Sequence, residues 1–360
     1  MKFLDLFAGI GGFRLGMESA GHECIGFCEI DKFARASYKA IHDTKGEIEL
    51  HDITRVTDES IRRIGCVDAI CGGFPCQAFS IAGNRRGFED IRGTLFFEIA
   101  RFASILRPQY LFLENVKGLL NHENGITFET IISTLDELGY DVEWQVLNSK
   151  DFGVPQNRER VFIIGHFRGE CTRRIFPLSG QSQSISNKSV VKIGNVNPSG
   201  NGMNGEVYQA DGLAPTLTTN KGEGQKIAIK SNTIKQFGVL QPNFNQCGVV
   251  YETDGIAPTI RAYQGGGLEP KIIQRGHGYN KGGVHEIAPT LTSNSYHENN
   301  HLSFGYRIRK LTPRECWRLQ GFPDWAFDKA QEVNSNSQLY KQAGNSVTVN
   351  VIAAIAKELE

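Results

Sequence analysis

The residues with the greatest capacity for covalent chemistry lie in Gly72-Gly73-Phe74-Pro75-Cys76-Gln77. A short apolar run with Val67, Ala69 and Ile70 ends there, in glycines and a proline that read as a turn. A thiol in such a turn is partly exposed and rigidly aimed, as a nucleophile must be. A lone cysteine in a tight turn is more often just a small buried residue, but two further strand ends reverse that judgement. Glu114-Asn115-Val116 closes the apolar run Tyr110–Leu113, where desolvation favours a protonated carboxyl. Gln156-Asn157-Arg158-Glu159-Arg160 sets two arginines two residues apart before another apolar run. In an extended chain they share one face and can grip a carbonyl oxygen or phosphates. A single arginine is ordinarily surface charge; a thiol, an acid and paired arginines at successive strand ends form a reaction site.

A second constellation suits a cofactor. Asp5-Leu6-Phe7-Ala8-Gly9-Ile10-Gly11-Gly12 follows the first apolar run, and its glycines let the backbone approach a ligand closely while a helix starts beside it. Arg14 stands where the dinucleotide fingerprint requires glycine, which disfavours NAD and an oxidoreductase. Glu29 ends the second run, 20 residues after Gly9, where its carboxylate can accept from both ribose hydroxyls. Asp52, in His51-Asp52-Ile53-Thr54, can accept from an adenine amino group. A nucleoside without a pyrophosphate is indicated, which favours S-adenosylmethionine.

The elements that position these groups alternate. Strands are expected at Lys2–Phe7, Glu23–Cys28, Val67–Cys71, Tyr110–Glu114, Asp141–Leu147 and Arg160–Gly165. Helices are expected from Arg14, after the N-cap Asp31, over Thr94–Leu106 and over Ile126–Leu138. This rhythm predicts an α/β fold with a doubly wound, mostly parallel sheet. From Pro177 to about Lys310 the texture changes to Gly, Asn, Ser and Thr without helical period. Three related units occur there: Asp211–Leu217, Asp254–Ile260 and His285–Leu291, starting 43 and 31 residues apart and each holding Ala-Pro-Thr. That spacing is too uneven for a solenoid and suits a second, smaller β- and loop-rich domain. Helix signals return after Thr312, and Val347–Leu359 is a closing apolar helix.

At 360 residues and 40% hydrophobic content the chain can bury a large core. Net charge is zero, yet residues 177–310 hold 13 Lys/Arg against 8 Asp/Glu, leaving 26 against 31 elsewhere. A basic middle permits a polyanion partner. Eight scattered cysteines without CxxC pairs suggest neither a metal site nor disulfides, and fit a reducing cytosol. Neither a signal peptide nor the ~20-residue apolar run of a membrane span is expected.

These motifs resemble the C5-cytosine DNA methyltransferase family. The matching stretches, in family order, are Asp5–Gly16, Glu29, Asp52, Gly73–Gln77, Glu114–Val116, Gln156–Arg160, Leu311–Glu315 and Gln342–Val347. The resemblance implies a Rossmann-like, S-adenosylmethionine-dependent catalytic domain from residues 1–176 and 327–360, with a target-recognition domain over 177–326. It places Phe7, Gly9, Gly11, Gly12, Glu29, Ile30, Asp52, Ile53, Pro75, Asn345, Ser346 and Val347 around the cofactor. It makes Cys76 the nucleophile at carbon 6 of a flipped-out cytosine and sets Glu114 on nitrogen 3 and the exocyclic amine. Arg160, helped by Arg158, binds the ring oxygen or target phosphate. The loop Ala78–Gly93, with Ser80, Arg85 and Arg86, would close over the flipped nucleotide. Thr216-Leu217, Thr259-Ile260 and Thr290-Leu291 are three candidates for the family's Thr-Leu dipeptide in the target-reading segment. The partners implied are double-stranded DNA and, in one setting, a cognate restriction endonuclease; the enzyme would be a cytoplasmic, nucleoid-associated monomer with no membrane. The rival readings are a tRNA cytosine-5 methyltransferase with the same motifs and a non-catalytic DNA-binding relative; the filled catalytic positions count against the latter.

Overall fold

The computed structural model describes residues 1–75, 95–180, 189–195, 205–210, 212–217, 226–230, 236–239, 249–251, 272–274, 283–285, 300–302 and 306–359. The chain divides into two compact units. The first comprises Met1–Val190, Leu213–Gly222 and Thr312–Glu360, the second Val191–Gly212 and Glu223–Leu311.

The first unit is built on strands β1 (Lys2–Leu6), β2 (Glu23–Cys28), β3 (Ile48–Leu50), β4 (Ala69–Gly73), β5 (Tyr110–Val116), β6 (Tyr140–Asn148) and β8 (Glu159–Phe167). They form one sheet in the order β3-β2-β1-β4-β5-β8-β6. The first five run parallel. β8 is antiparallel to both β5 and β6. Consecutive strands thus proceed outward in one direction from β1 and in the other from β4, so the strand order reverses between these two. In such sheets the ligand crevice lies at the carboxyl ends beside that reversal.

Continuous apolar runs make these strands suitable for burial on both faces. Leu4 and Leu6 of β1 and Leu111 and Leu113 of β5 face one core, with Phe96, Ile99 and Phe102 of helix α4 (Leu95–Leu106) and Ile131 and Leu135 of helix α5 (Ile126–Glu137). Phe3, Tyr110 and Phe112 alternate with them and face the other core. That second core receives Phe13 and Met17 of helix α1 (Gly12–Ser19). Helices α2 (Lys32–Ile41) and α3 (Asp58–Arg62) complete the amino-terminal half. Asp31 caps α2 by accepting from the N–H groups of Phe33 and Ala34, as its position before an apolar stretch led us to expect.

Four helices close the unit: α6 (Pro313–Leu319), α7 (Asp324–Val333), α8 (Asn336–Asn345) and α9 (Val349–Ala356). Thr312 and Glu315 form a reciprocal capping box at the start of α6. Val351, Ile352 and Ile355 of α9 join the core of α1. The two helices touch so closely that a Cβ on Gly16 would lie 2.5 Å from the Ile352 side chain. No described helix is long and apolar enough to cross a membrane.

One expectation fails in detail. β4 does not stop at Cys71 but continues through Gly72 and Gly73, which pair with Leu113 and Glu114. Glycine weakens an isolated strand, but here strands on both sides hold it. At Gly72 the glycine is required, because a Cβ would meet the Leu6 carbonyl at 2.8 Å.

The second unit contains β9 (Lys192–Asn195), β10 (Glu206–Gln209), β12 (Lys226–Lys230) and β18 (Tyr306–Lys310), arranged as a four-stranded sheet β18-β12-β10-β9. β13 (Gln236–Val239) pairs with β14 (Val249–Tyr251). A three-stranded sheet is made from β16 (Gly283–His285), β15 (Ile272–Gln274) and β17 (Asn300–Leu302). Its described elements are all strands. The short β11 (Ala214–Pro215) belongs to the first unit, where it pairs in parallel with β7 (Gln156–Asn157).

Candidate active site

The chemistry-bearing side chains sit at the carboxyl ends of β1, β2, β4 and β5 and at the start of β8. β4 delivers Gly73, Phe74 and Pro75; Cys76 and Gln77, next in sequence, lie outside the described residues. Asn115 Nδ2 donates to the Phe74 carbonyl at 2.9 Å, and Asn115 Oδ1 accepts from the Val116 N–H at 2.8 Å. Asn115 is 2% exposed, so this bond fixes the turn leading to the thiol. A Cβ on Gly73 would lie 3.2 Å from Glu114 Oε2, so that glycine leaves room for the carboxyl.

Glu114 is buried at the end of β5, and Arg160 Nε stands 3.0 Å from its Oε1. Burial pushes the Glu114 carboxyl up; the charges of Arg160 and Arg158 and the Arg160 bond pull it back without cancelling the rise. The site therefore offers a carboxyl that holds a proton more readily than an exposed glutamate, beside a fixed cation. Such a pair can donate to a ring nitrogen and neutralise negative charge on an adjoining oxygen.

Arg158 has another task. Its guanidinium, 3% exposed, donates to the carbonyls of Ser346 at 2.7 Å, Gly344 at 3.3 Å and Leu217 at 3.4 Å. Arg158 thus clamps two main-chain segments, Leu217 and Gly344–Ser346, and also lines the cavity beside Arg160. Its position explains this: Arg158 sits between β7 and β8, where β11 and the turn after α8 converge. Burial, then the Arg160 charge, lowers its pKa to about 9, which leaves it protonated at neutral pH.

At the cofactor end Phe7 adopts φ 55°, a left-handed conformation unusual for an aromatic residue, and opens the turn Ala8–Gly11. Gly9 N–H donates to Glu29 Oε2 at 2.8 Å and Asp31 N–H to Glu29 Oε1 at 2.7 Å. Burial raises the Glu29 pKa, and these two N–H groups oppose the rise. Each carboxylate oxygen retains a further lone pair for a hydroxyl. Asp52 caps a short 3-10 turn by accepting from Thr54, and that Thr54 hydroxyl bond lowers its pKa. Arg14, which spoils the dinucleotide fingerprint, is buried in ion pairs with Glu18 and Glu47.

A cavity of about 630 Å³ joins both ends, within the range for small-ligand sites. Phe7, Gly9, Glu29, Ile30, Asp52 and Ile53 line one part; Pro75, Glu114, Arg160, Thr216 and Asn345 line the other. Ile30 is 67% exposed, an apolar side chain facing open space at the rim.

The whole chain, residues 1–360, matches the family model of the C-5 cytosine-specific DNA methylases. The protein belongs to that family.

Among its relatives, the orphan methyltransferase M.SPRI of Bacillus phage SPR is 36% identical over all of this chain and 97% of its own length. The type II methyltransferase M.HhaI of Haemophilus parahaemolyticus is also 36% identical, covering 99% and 93%. M.HpaII of Haemophilus parainfluenzae is 38% identical, covering 99% and 88%. Of solved structures, a Spodoptera frugiperda DNMT2 mutant superposes with TM-score 0.58 at 19% identity, covering 99% of this chain and 98% of that one. The likeness in structure concerns the fold alone.

Within the methylase, Gly11, Gly12, Ser346 and Val347 are not among the residues that line the cavity. A Cβ on Gly12 would meet Val347 Cγ2 at 2.8 Å and Ser346 Oγ at 2.9 Å, so α1 and the turn before α9 need that glycine. Of the three Thr-Leu/Ile candidates, Thr216 lies in the first unit and donates from Oγ1 to the Asn157 carbonyl at 2.8 Å. Thr259, Thr290, Ser80, Arg85 and Arg86 lie outside the described residues. Asn115 and Lys341 were not singled out as site residues by sequence reasoning. Lys341 lines the cavity and pairs with Asp31 at 2.7 Å, a contact across 310 residues that no local pattern reveals.

Proposed function

We propose that this DNA cytosine-5 methyltransferase uses S-adenosylmethionine and acts on a flipped-out cytosine through a transient bond to Cys76. The observation that carries the reading is the cavity that faces Glu29 at one end and the Glu114–Arg160 pair at the other. The cofactor site fits a nucleoside: a carboxylate with two free lone-pair sites, the exposed apolar Ile30, and Gly9, where a Cβ would meet nothing within 4 Å. When bound, the cofactor supplies an electrophilic methyl group. Carbon 5 of cytosine is too weakly nucleophilic to take it unaided. Addition of the Cys76 thiolate to carbon 6 places electron density on carbon 5, and Glu114 stabilises the ring by holding its proton at nitrogen 3. Arg160 offsets the carboxyl and reaches the ring oxygen or target phosphate. After methyl transfer, carbon 5 loses its proton to a base, the double bond to carbon 6 re-forms and the sulfur leaves as the thiolate that began the cycle.

A cytosine stacked in a duplex cannot reach a cavity of this shape, so the base is extruded at a cost of ~a few kcal/mol. We assign target reading to the second unit, whose sequence is rich in side chains suited to base edges. Of the repeated units we favour Thr216-Leu217 as the dipeptide beside the catalytic site, because it lines the cavity. We infer a monomer acting on duplex DNA in the cytoplasm, whose product would resist a cognate restriction endonuclease. The family model and the named relatives favour DNA over tRNA.

The test is an oligonucleotide duplex carrying 5-fluorocytosine, after bisulfite sequencing has identified the target. With S-adenosylmethionine the wild-type protein should form a stable adduct with it. Cys76→Ala should form none and lose methyl transfer while binding cofactor with little change. An active enzyme that never forms the adduct would refute the covalent scheme.

A further inference from the structure

Behind the glycine turn stands a buried side chain that this reaction does not use. His42 follows α2, with its N–H bonded to the Tyr38 carbonyl at 2.9 Å, and is 7% exposed. Its ring lies against Tyr38, 4.7 Å between centroids at 50°, and Tyr38 in turn stacks on Phe27 at 4.2 Å. No hydrogen-bond partner among the described residues meets His42 Nε2. Buried polar atoms are nearly always partnered, so an orphan calls for explanation.

What Nε2 faces is Gly11. A Cβ on Gly11 would fall 2.1 Å from Nε2, 2.9 Å from Cδ2 and 3.1 Å from Cε1. The edge of the imidazole thus fills the space a side chain at position 11 would need. Gly11 has φ 83° and precedes α1, and its N–H closes the turn onto the Ala8 carbonyl at 2.8 Å. Gly9 and Ile10, in the same turn, line the cavity. Glycines carry no side chain to anchor themselves and have the most backbone freedom to lose. A turn containing Gly9 and Gly11 and followed by Gly12 must therefore take its rigidity from what packs against it. Burial, then the Arg14 charge, push the His42 pKa down to about 3, which leaves the ring neutral; the Ile10 main chain favours protonation without reversing this.

We propose that His42 is a positioning residue of the cofactor site, the rear support that holds the Gly9–Gly11 turn at its distance from Glu29. The proposal rests on the cofactor reading above. His42→Ala removes the support, His42→Phe inserts a larger ring with a C–H where Nε2 stood, and His42→Gln approximates the original reach and volume. Calorimetry with S-adenosylmethionine on the full chain should show Kd raised by about tenfold in His42→Ala and His42→Phe, and by less than about threefold in His42→Gln. At saturating cofactor, kcat of the variants should stay within about twofold of wild type, a division between binding and turnover that general destabilisation would not produce. A Kd in His42→Ala within about twofold of wild type would overturn the proposal, as would His42→Gln binding as weakly as His42→Ala. If His42→Ala does not fold, His42→Asn, which keeps only the near half of the ring's reach, takes its place with the same thresholds. Failure of the wild-type protein to bind S-adenosylmethionine would instead refute the cofactor reading.

Discussion

Arg158→Ala separates the two roles open to the arginine pair. The substitution leaves the carbonyls of Ser346, Gly344 and Leu217 without their donor. The 2.7 Å bond to Ser346 is short and charge-assisted, in the class that contributes about 1.5–3 kcal/mol. The other two, at 3.3 and 3.4 Å, are long and together add about 1 kcal/mol at most. The guanidinium gives up hydration to enter this site, which offsets part of the gain, so a net loss of about 3 kcal/mol is expected. For a cooperative unit of this size that lowers Tm by roughly 6–12 °C. Because Gly344 and Ser346 flank Asn345 at the cavity wall, cofactor affinity should fall together with stability.

Arg160→Ala is the contrast. Its side chain is 15% exposed and its ion-pair partner is Glu114, at the reacting end of the cavity. Methyl transfer should fall by about 100-fold or more while Tm changes by a few degrees. Differential scanning fluorimetry beside a radiolabelled methyl-transfer assay reads both quantities. If Arg158→Ala melts at the wild-type temperature yet loses activity as severely as Arg160→Ala, the clamp is wrong and Arg158 touches the substrate after all.

The remaining expectations concern the groups beneath the site. Asp5 is fully buried and accepts from the Tyr38 hydroxyl at 3.3 Å; burial, only partly opposed by Arg14 and Tyr38, raises its pKa from 3.8 to about 8. Between those values the native protein holds a proton that the unfolded chain has lost, so the Asp5 contribution to stability falls as pH rises through this window. Asp5→Asn should therefore gain on wild type from pH 5 to pH 8 by about 3–4 kcal/mol in urea denaturation, and a constant difference would exclude a protonated Asp5. Asn115→Ala frees the Phe74 carbonyl and loosens the turn before Cys76. It should lower kcat by about tenfold with an unchanged cofactor Kd, as single-turnover kinetics and calorimetry would show.

Much of the first unit was legible because its central strands β1, β4 and β5 are buried on both faces and its helices carry punctuation. Glu23–Cys28 is observed as read, and Asp31 and Thr312 cap the helices that follow them. Gly72 and Gly73 misled because glycine in a sequence signals a break, whereas β1 and β5 hold that strand from both sides. The antiparallel direction of β8 was also hidden, although one signal existed. No helical pattern separates Leu147 from Arg160, and a parallel return needs a crossover of a dozen or more residues, usually helical. For the site, residue types were legible and partners were not. Arg158 reads as one of an arginine pair, but its acceptor Ser346 lies 188 residues away. The three similar Thr-Leu/Ile units are indistinguishable locally; the pairing of Ala214–Pro215 with Gln156–Asn157 is what brings Thr216 to the cavity.

The order of the strands in the sheet explains why these partners meet. Across the carboxyl ends run Glu29 after β2, the glycine turn after β1, the turn toward Cys76 after β4, and Glu114 near the end of β5. Arg160 follows at the near end of β8, where it pairs with Val116. Neighbouring strands lie about 4.8 Å apart, so Glu29, the glycine turn, Pro75, Glu114 and Arg160 follow one another across the sheet in that order. β4 separates the glycine turn from Glu114, so on the proposed reading the pyrimidine lies over the end of β4. Gly72 is what brings β4 close to β1, since any side chain there would strike the Leu6 carbonyl. Gly72 and Gly73 are thus part of the sheet itself, and Gly72 sets how near β4 comes to β1.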